Sequence, residues 1–87
     1  MSPIVYIVEE LERYAVDARL RTGRRVRALR ERAGHTAHDL GLRAGMPADS
    51  VARVEGGEVE LGLAELSRLA RALRVPMSAL VADETSP

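Results

Sequence analysis

The residues of this 87-residue chain that could do chemistry are few, and their spacing limits what they can do. His35 and His38 lie three apart and could share one helix face, but the sequence has no third histidine and no cysteine to complete a metal site. Ser50 and Ser67 have no histidine base placed by a motif, and no glycine-rich phosphate loop of the Walker type occurs. These absences argue against an enzyme and against any cofactor or metal. What remains is arginine, which suits phosphate and guanine contacts. All thirteen basic residues are arginine, against thirteen acids, giving a formal charge of zero.

The balance is uneven along the chain. Residues 1–23 carry three arginines and four acids, 24–55 seven and four, and 56–87 three and five, so the segment charges are −1, +3 and −2. Only the middle segment is basic, which is where a polyanion would be met. Tyr6 and Tyr14 are the sole aromatic residues, too few to form a stacking platform for single strands. No apolar run approaches membrane-spanning length, and the N-terminus has acids where a signal peptide would have bases. The expectation is a small protein of the cytoplasm with no membrane association.

The elements that must position these residues centre on Thr36 to Glu55. Ala37, Leu40, Gly41 and Ala44 follow the i, i+3, i+4, i+7 spacing of one helix face. Gly45 suits a helix C-cap, and a second short pattern, over residues 47–55 and starting at Pro47, puts Val51 and Val54 on one side. Two short helices joined by a glycine turn form a helix-turn-helix. A small residue at Gly41 makes sense if the second helix crosses the first closely there. Thr36 with Asp39 has the spacing of a capping box.

Upstream, Ser2-Pro3 reads as an N-cap and first helical residue. Ile4, Val8, Leu11, Ala15 and Ala18 then recur at intervals of four and three, with Ile7 and Tyr14 beside the stripe. This is an amphipathic helix, although Ile4 to Val8 is also β-favouring, so a short strand leading into a helix is the rival. Its apolar face, taken as Ile4, Ile7, Val8, Leu11 and Ala15, either packs on its own domain or forms a two-fold contact with a second copy. Thr22-Gly23 then separates this extension from a helix at Arg24 to Ala33, in which Val26, Leu29 and Ala33 face inward. Arg24, Arg25, Arg27, Arg30 and Arg32 crowd the rest of that helix, most of them a solvated face. Downstream, Gly56-Gly57 breaks the chain. Leu63, Leu66, Leu69, Ala70 and Leu73 give a further helix its core stripe, Ser78 caps a last turn that inserts Leu80 and Val81, and residues 83–87 form a polar tail expected to be disordered.

From Arg24 to Val81 the chain resembles the lambda-repressor/Cro-type helix-turn-helix domain, also called the xenobiotic-response-element (XRE) family. The matching stretches include Val26 to Arg30, Ala33-Gly34, Thr36, Asp39-Leu40, Ala44 to Met46, Val51, Val54 to Gly57, Leu66 to Leu73 and Val75 to Leu80. The resemblance implies an all-α, five-helix domain at residues 23–82, preceded by the extension at 1–22, with its third helix able to enter the major groove. On this reading double-stranded DNA is the partner. Arg53, Ser50 and Asp49 read bases, Ala48 and Ala52 can touch thymine methyls, and Thr36, Arg43 and the amides starting the second helix hold phosphate. Arg53 can grip guanine or a phosphate; Asp49 is repelled by phosphate unless it accepts from a cytosine amino group.

The sequence also departs from the family. Ala37 stands where the family commonly has a glutamine bound to phosphate and base. Glu58 and Glu60 follow the recognition helix where basic or amide residues are common. Glu55 recurs in the family, and the resemblance suggests a structural ion pair for it with an arginine such as Arg30. Two functions stay open: a dimeric, sequence-specific transcriptional regulator, or a protein-interaction module of the same fold, antitoxin-like or accessory, with little DNA affinity.

Overall fold

A computed structural model describes the backbone of residues 3–81 and the side chains from residue 7 of that span. Five helices follow one another: α1 (Pro3–Arg32), α2 (Ala37–Ala44), α3 (Ala48–Glu55), α4 (Leu63–Leu73) and α5 (Ser78–Val81). Among the described residues there is no strand. The all-α, five-helix expectation is therefore what the chain forms. Ser2 as a cap and residues 83–87 as a tail lie outside the described residues.

In the N-terminal third one expectation holds and one is corrected. Ile4 to Val8 is helical rather than the rival strand, because an apolar stripe of helical period running on through Ala18 outweighs a local β preference. The break expected at Thr22-Gly23 is absent. The extension and the domain's first helix are one rod of 30 residues, about 45 Å long at 1.5 Å per residue. Gly23 is needed for proximity. A Cβ built there would collide with the carbonyl oxygen of Val54 and stand 2.7 Å from that of Glu55, so α3 can end against α1 only if this position is bare. Glycine costs about 1 kcal/mol within a helix, and the close crossing explains why it is tolerated here.

The core is built from Val26 of α1, Leu40 and Ala44 of α2, Val51 and Val54 of α3, Leu69, Ala70 and Leu73 of α4, and Leu80 of α5. Full burial of each large aliphatic member stabilises the fold by roughly 1.5–3 kcal/mol before the ordering entropy is set against it. α2 packs on both α3 and α4, while α1 lies across α3 and α5. Three residues assigned inward sit outside. Ala33 is exposed because α1 has already ended at Arg32. Leu63 is 77% exposed at the first position of α4, and Val81 is 54% exposed at the last position of α5.

The turn between α2 and α3 forms as the sequence suggests. Gly45 adopts φ 70°, the left-handed conformation that non-glycine residues resist, and Met46 N–H donates to the Gly41 carbonyl at 2.8 Å. A Cβ at Gly41 would strike the Met46 carbonyl oxygen, so the tight approach expected at Gly41 is present. No helix among the described residues is long and apolar enough to cross a membrane.

Candidate nucleic-acid interface

The interface is built from the start of α2 and the outer side of α3. At α2, the Thr36 hydroxyl accepts from Asp39 N–H and the Asp39 carboxylate accepts from Thr36 N–H, both at 3.0 Å. This reciprocal box satisfies two helix-start groups and leaves the amides of Ala37 and His38 without an intrahelical acceptor. Such amides, at the positive end of the helix dipole, are suited to phosphate. Hydrogen bonds from the Thr36 backbone and then its side chain hold the Asp39 carboxyl below the usual carboxylate range. At neutral pH a negative charge thus sits beside the amides that a phosphate would approach, held there by the Thr36 N–H.

α3 starts without a side-chain cap. Pro47 occupies the N-cap position in an extended conformation, and its carbonyl accepts from Ser50 N–H at 3.0 Å and Val51 N–H at 3.2 Å. Val51 and Val54 are buried, fixing which way the helix faces. Asp49, Ala52 and Arg53 are exposed on the outer side, with Ala48 and Ser50 half-buried at its margins. The outer face is therefore short of donors: one guanidinium and one hydroxyl, interrupted by a carboxylate. The neighbouring Glu58 and Glu60 are exposed.

What fixes α3 in place is a clamp beneath it. Arg30 Nε and Nη2 donate to the two carboxylate oxygens of Glu55 at 2.6 and 2.9 Å, while Nη1 donates to the His35 carbonyl at 2.8 Å. The ion pair expected from the resemblance is present, and it does more than join two helices. One planar guanidinium ties the end of α1, the α1–α2 turn and the end of α3. Its Glu55 hydrogen bond, opposed by burial, raises the Arg30 pKa further above its ordinary value. By contrast, the Arg27–Glu31 pair on the same helix is 3.6 Å long and exposed at both ends, so it contributes little.

Other expected residues are arranged differently. Arg43 lies in a groove between α2 and α4 with Arg68, Arg71 and Arg74, and no residue of α3 lines it. This four-arginine grouping joins residues far apart in sequence, and only the helical spacing of 68, 71 and 74 hinted at it. His38 is exposed, whereas His35 is half-buried with its Nδ1 unpartnered, so the two do not share one open face. No group of three or more potential metal-binding residues occurs among the described residues. Ile7, Val8 and Leu11 of the extension are exposed and Ala15 is half-buried; the side chain of Ile4 lies outside the described residues. Leu42, exposed at 71% on α2, was not singled out by the sequence pattern.

Comparison with known proteins agrees with this geometry. The helix-turn-helix domain family matches residues 21–83. A similar solved structure is the restriction-modification controller protein C.AhdI from Aeromonas hydrophila, with a TM-score of 0.70 and 29% identity over 71% of this chain and 94% of that one. No curated protein sequence matches. With the turn at Gly45, the buried Val51 and Val54 and the uncovered outer side of α3 in place, the chain belongs to the XRE-type helix-turn-helix family of DNA-binding transcription regulators.

Proposed function

We propose that this protein is a sequence-specific transcriptional regulator that binds as a dimer, with α3 of each copy in one major groove of a two-fold site. The observation that carries the reading is the outer side of α3: Asp49, Ala52 and Arg53 are exposed there, while its inner side is locked to the core by Val51, Val54 and the Arg30–Glu55 clamp. Arg53 and Ser50 are assigned to base edges, with Asp49 accepting from a cytosine amino group. Ala48 and Ala52 offer methyl contacts, and Thr36, Ala37 and the α2 amides lie along the phosphate backbone. Arg43 is assigned to phosphate as well, from the end of α2. The likeness to a controller protein supports regulation as the role, and the cytoplasm is where such a duplex would be met.

Selection of bound duplexes from a random DNA library tests this. A recovered palindromic motif, with binding at two salt concentrations to the region upstream of the protein's own gene, is the expected result. Sequence-indifferent binding, or none at low salt, rejects it. A second reading, a protein-interaction module with weak DNA affinity, is favoured by exposed Glu58 and Glu60 and by the methyl at Ala37. A stoichiometric protein partner, with function unchanged by Arg53→Ala, supports that reading instead.

A further inference from the structure

The N-terminal half of α1 leaves an apolar face bare in the single chain. Ile7 is 55%, Val8 46%, Leu11 62% and Tyr14 65% exposed. The face does not stop at the edge of the domain. It runs into an open cleft of about 330 Å³, where Ala15 and Ala18 of α1 look across to Val59, Leu61, Leu66 and Val81. Val8, Leu11, Ala15 and Ala18 are spaced three, four and three apart, the rhythm of a two-helix seam. Its two halves differ in size, with large side chains outside the domain and methyl groups at the cleft.

We infer that this seam pairs α1 with α1 of a second copy of the chain, antiparallel, with Val8 of each copy opposite Ala18 of the other and Leu11 opposite Ala15. This rests on the dimer reading above and names its contact. Side-chain volume selects the orientation: an antiparallel pair sets large against small along the seam and seats each outer half in the other copy's cleft. A parallel pair stacks Leu11 on Leu11 and leaves Ala18 facing Ala18 across a gap.

The absence of cysteine from the sequence makes the orientation measurable. Val8→Cys and Ala18→Cys chains, mixed and oxidised, should give mainly the mixed disulfide; same-variant disulfides in excess would overturn the antiparallel arrangement. By light scattering the unmodified chain should weigh twice its 9.5 kDa. Leu11→Glu should halve that mass with helical circular dichroism unchanged, since Leu11 is exposed in the single chain. A monomeric unmodified chain, or a Leu11→Glu chain that keeps its dimer mass, overturns the inference. DNA binding is read separately. A dimer that ignores DNA leaves the seam standing and removes the regulator reading, while a Leu11→Glu chain that keeps its dimer mass and binds its site removes the seam and leaves the regulator reading.

Discussion

Arg30 and Glu55 meet through two hydrogen bonds, of 2.6 and 2.9 Å, and the side chains retain only 14% and 10% of their exposure. Replacing either partner alone leaves the other charge largely shielded from water and unpaired. Glu55→Ala should therefore cost about 1.5–3 kcal/mol, the range for a hydrogen bond to a charged group. In a domain of this size that corresponds to a fall in melting temperature of roughly 6 °C or more. The double variant Arg30→Ala/Glu55→Ala should lose less than the sum of the single losses, measured by denaturant titration. Additive losses would mean the pair is not coupled.

Gly23 links the extension to the recognition helix. A methyl group there meets two backbone carbonyls rather than a side chain that could turn aside. Gly23→Ala should gain about 1 kcal/mol of helix propensity yet destabilise the protein overall, since forcing α1 from α3 costs roughly 1–3 kcal/mol. Thermal unfolding reads the sign. A stabilised variant would mean that the two helices separate without loss.

Much of this architecture could be read from residue order, and the exceptions share a cause. The α2–α3 turn, the Thr36–Asp39 box and the Arg30–Glu55 pair are legible because caps, glycine turns and a family resemblance carry them at fixed spacing. Gly23 misleads because a glycine that ends a helix and one that admits a neighbour look alike without that neighbour. The grouping of Arg43 with Arg68, Arg71 and Arg74 depends on α4 lying against α2, which no local pattern encodes. Leu63 fits the apolar period of α4 perfectly well, but period says which side a residue takes and nothing about whether the core extends to that turn.

Leu63 and Leu69 share the same helix stripe and differ in burial, at 77% and 0% exposure. Leu69→Ala should cost about 2–5 kcal/mol through lost transfer energy and a residual cavity. Leu63→Ala should change stability by no more than about 0.5 kcal/mol, as at other exposed positions. Urea unfolding of the two variants side by side checks the contrast. Equal losses would place Leu63 in a packed environment.

The Asp39 box gives an acid-side pH dependence whose sign is fixed. Its folded-state pKa is depressed, so the stabilisation is complete above the unfolded carboxylate value of about 4 and is lost as pH falls through the lowered folded value. Asp39→Ala should be less stable than the parent at neutral pH, and the gap should narrow as both are acidified. Melting temperatures across the acid range test this. A gap that widens toward low pH would reverse the assigned sign.

Glu58 and Glu60 follow α3 as exposed carboxylates, and in the regulator reading they stand near the duplex backbone. Their repulsion is a long-range term between solvent-exposed charges, so it should matter most when the screening length is long, about 30 Å at 0.01 M salt against 8 Å at 0.15 M. Glu58→Gln/Glu60→Gln should tighten DNA binding at low salt, and the advantage should shrink as salt is raised. Arg53→Ala should act differently, weakening the preferred site more than unrelated duplexes, because one bidentate guanine contact is worth about 1–3 kcal/mol of discrimination. Titrating both variants against a selected site and a scrambled duplex at several salt concentrations separates the two effects. If the glutamine pair leaves affinity unchanged at every salt, the loop after α3 lies away from the backbone, and the departure from the family at these positions has no bearing on DNA.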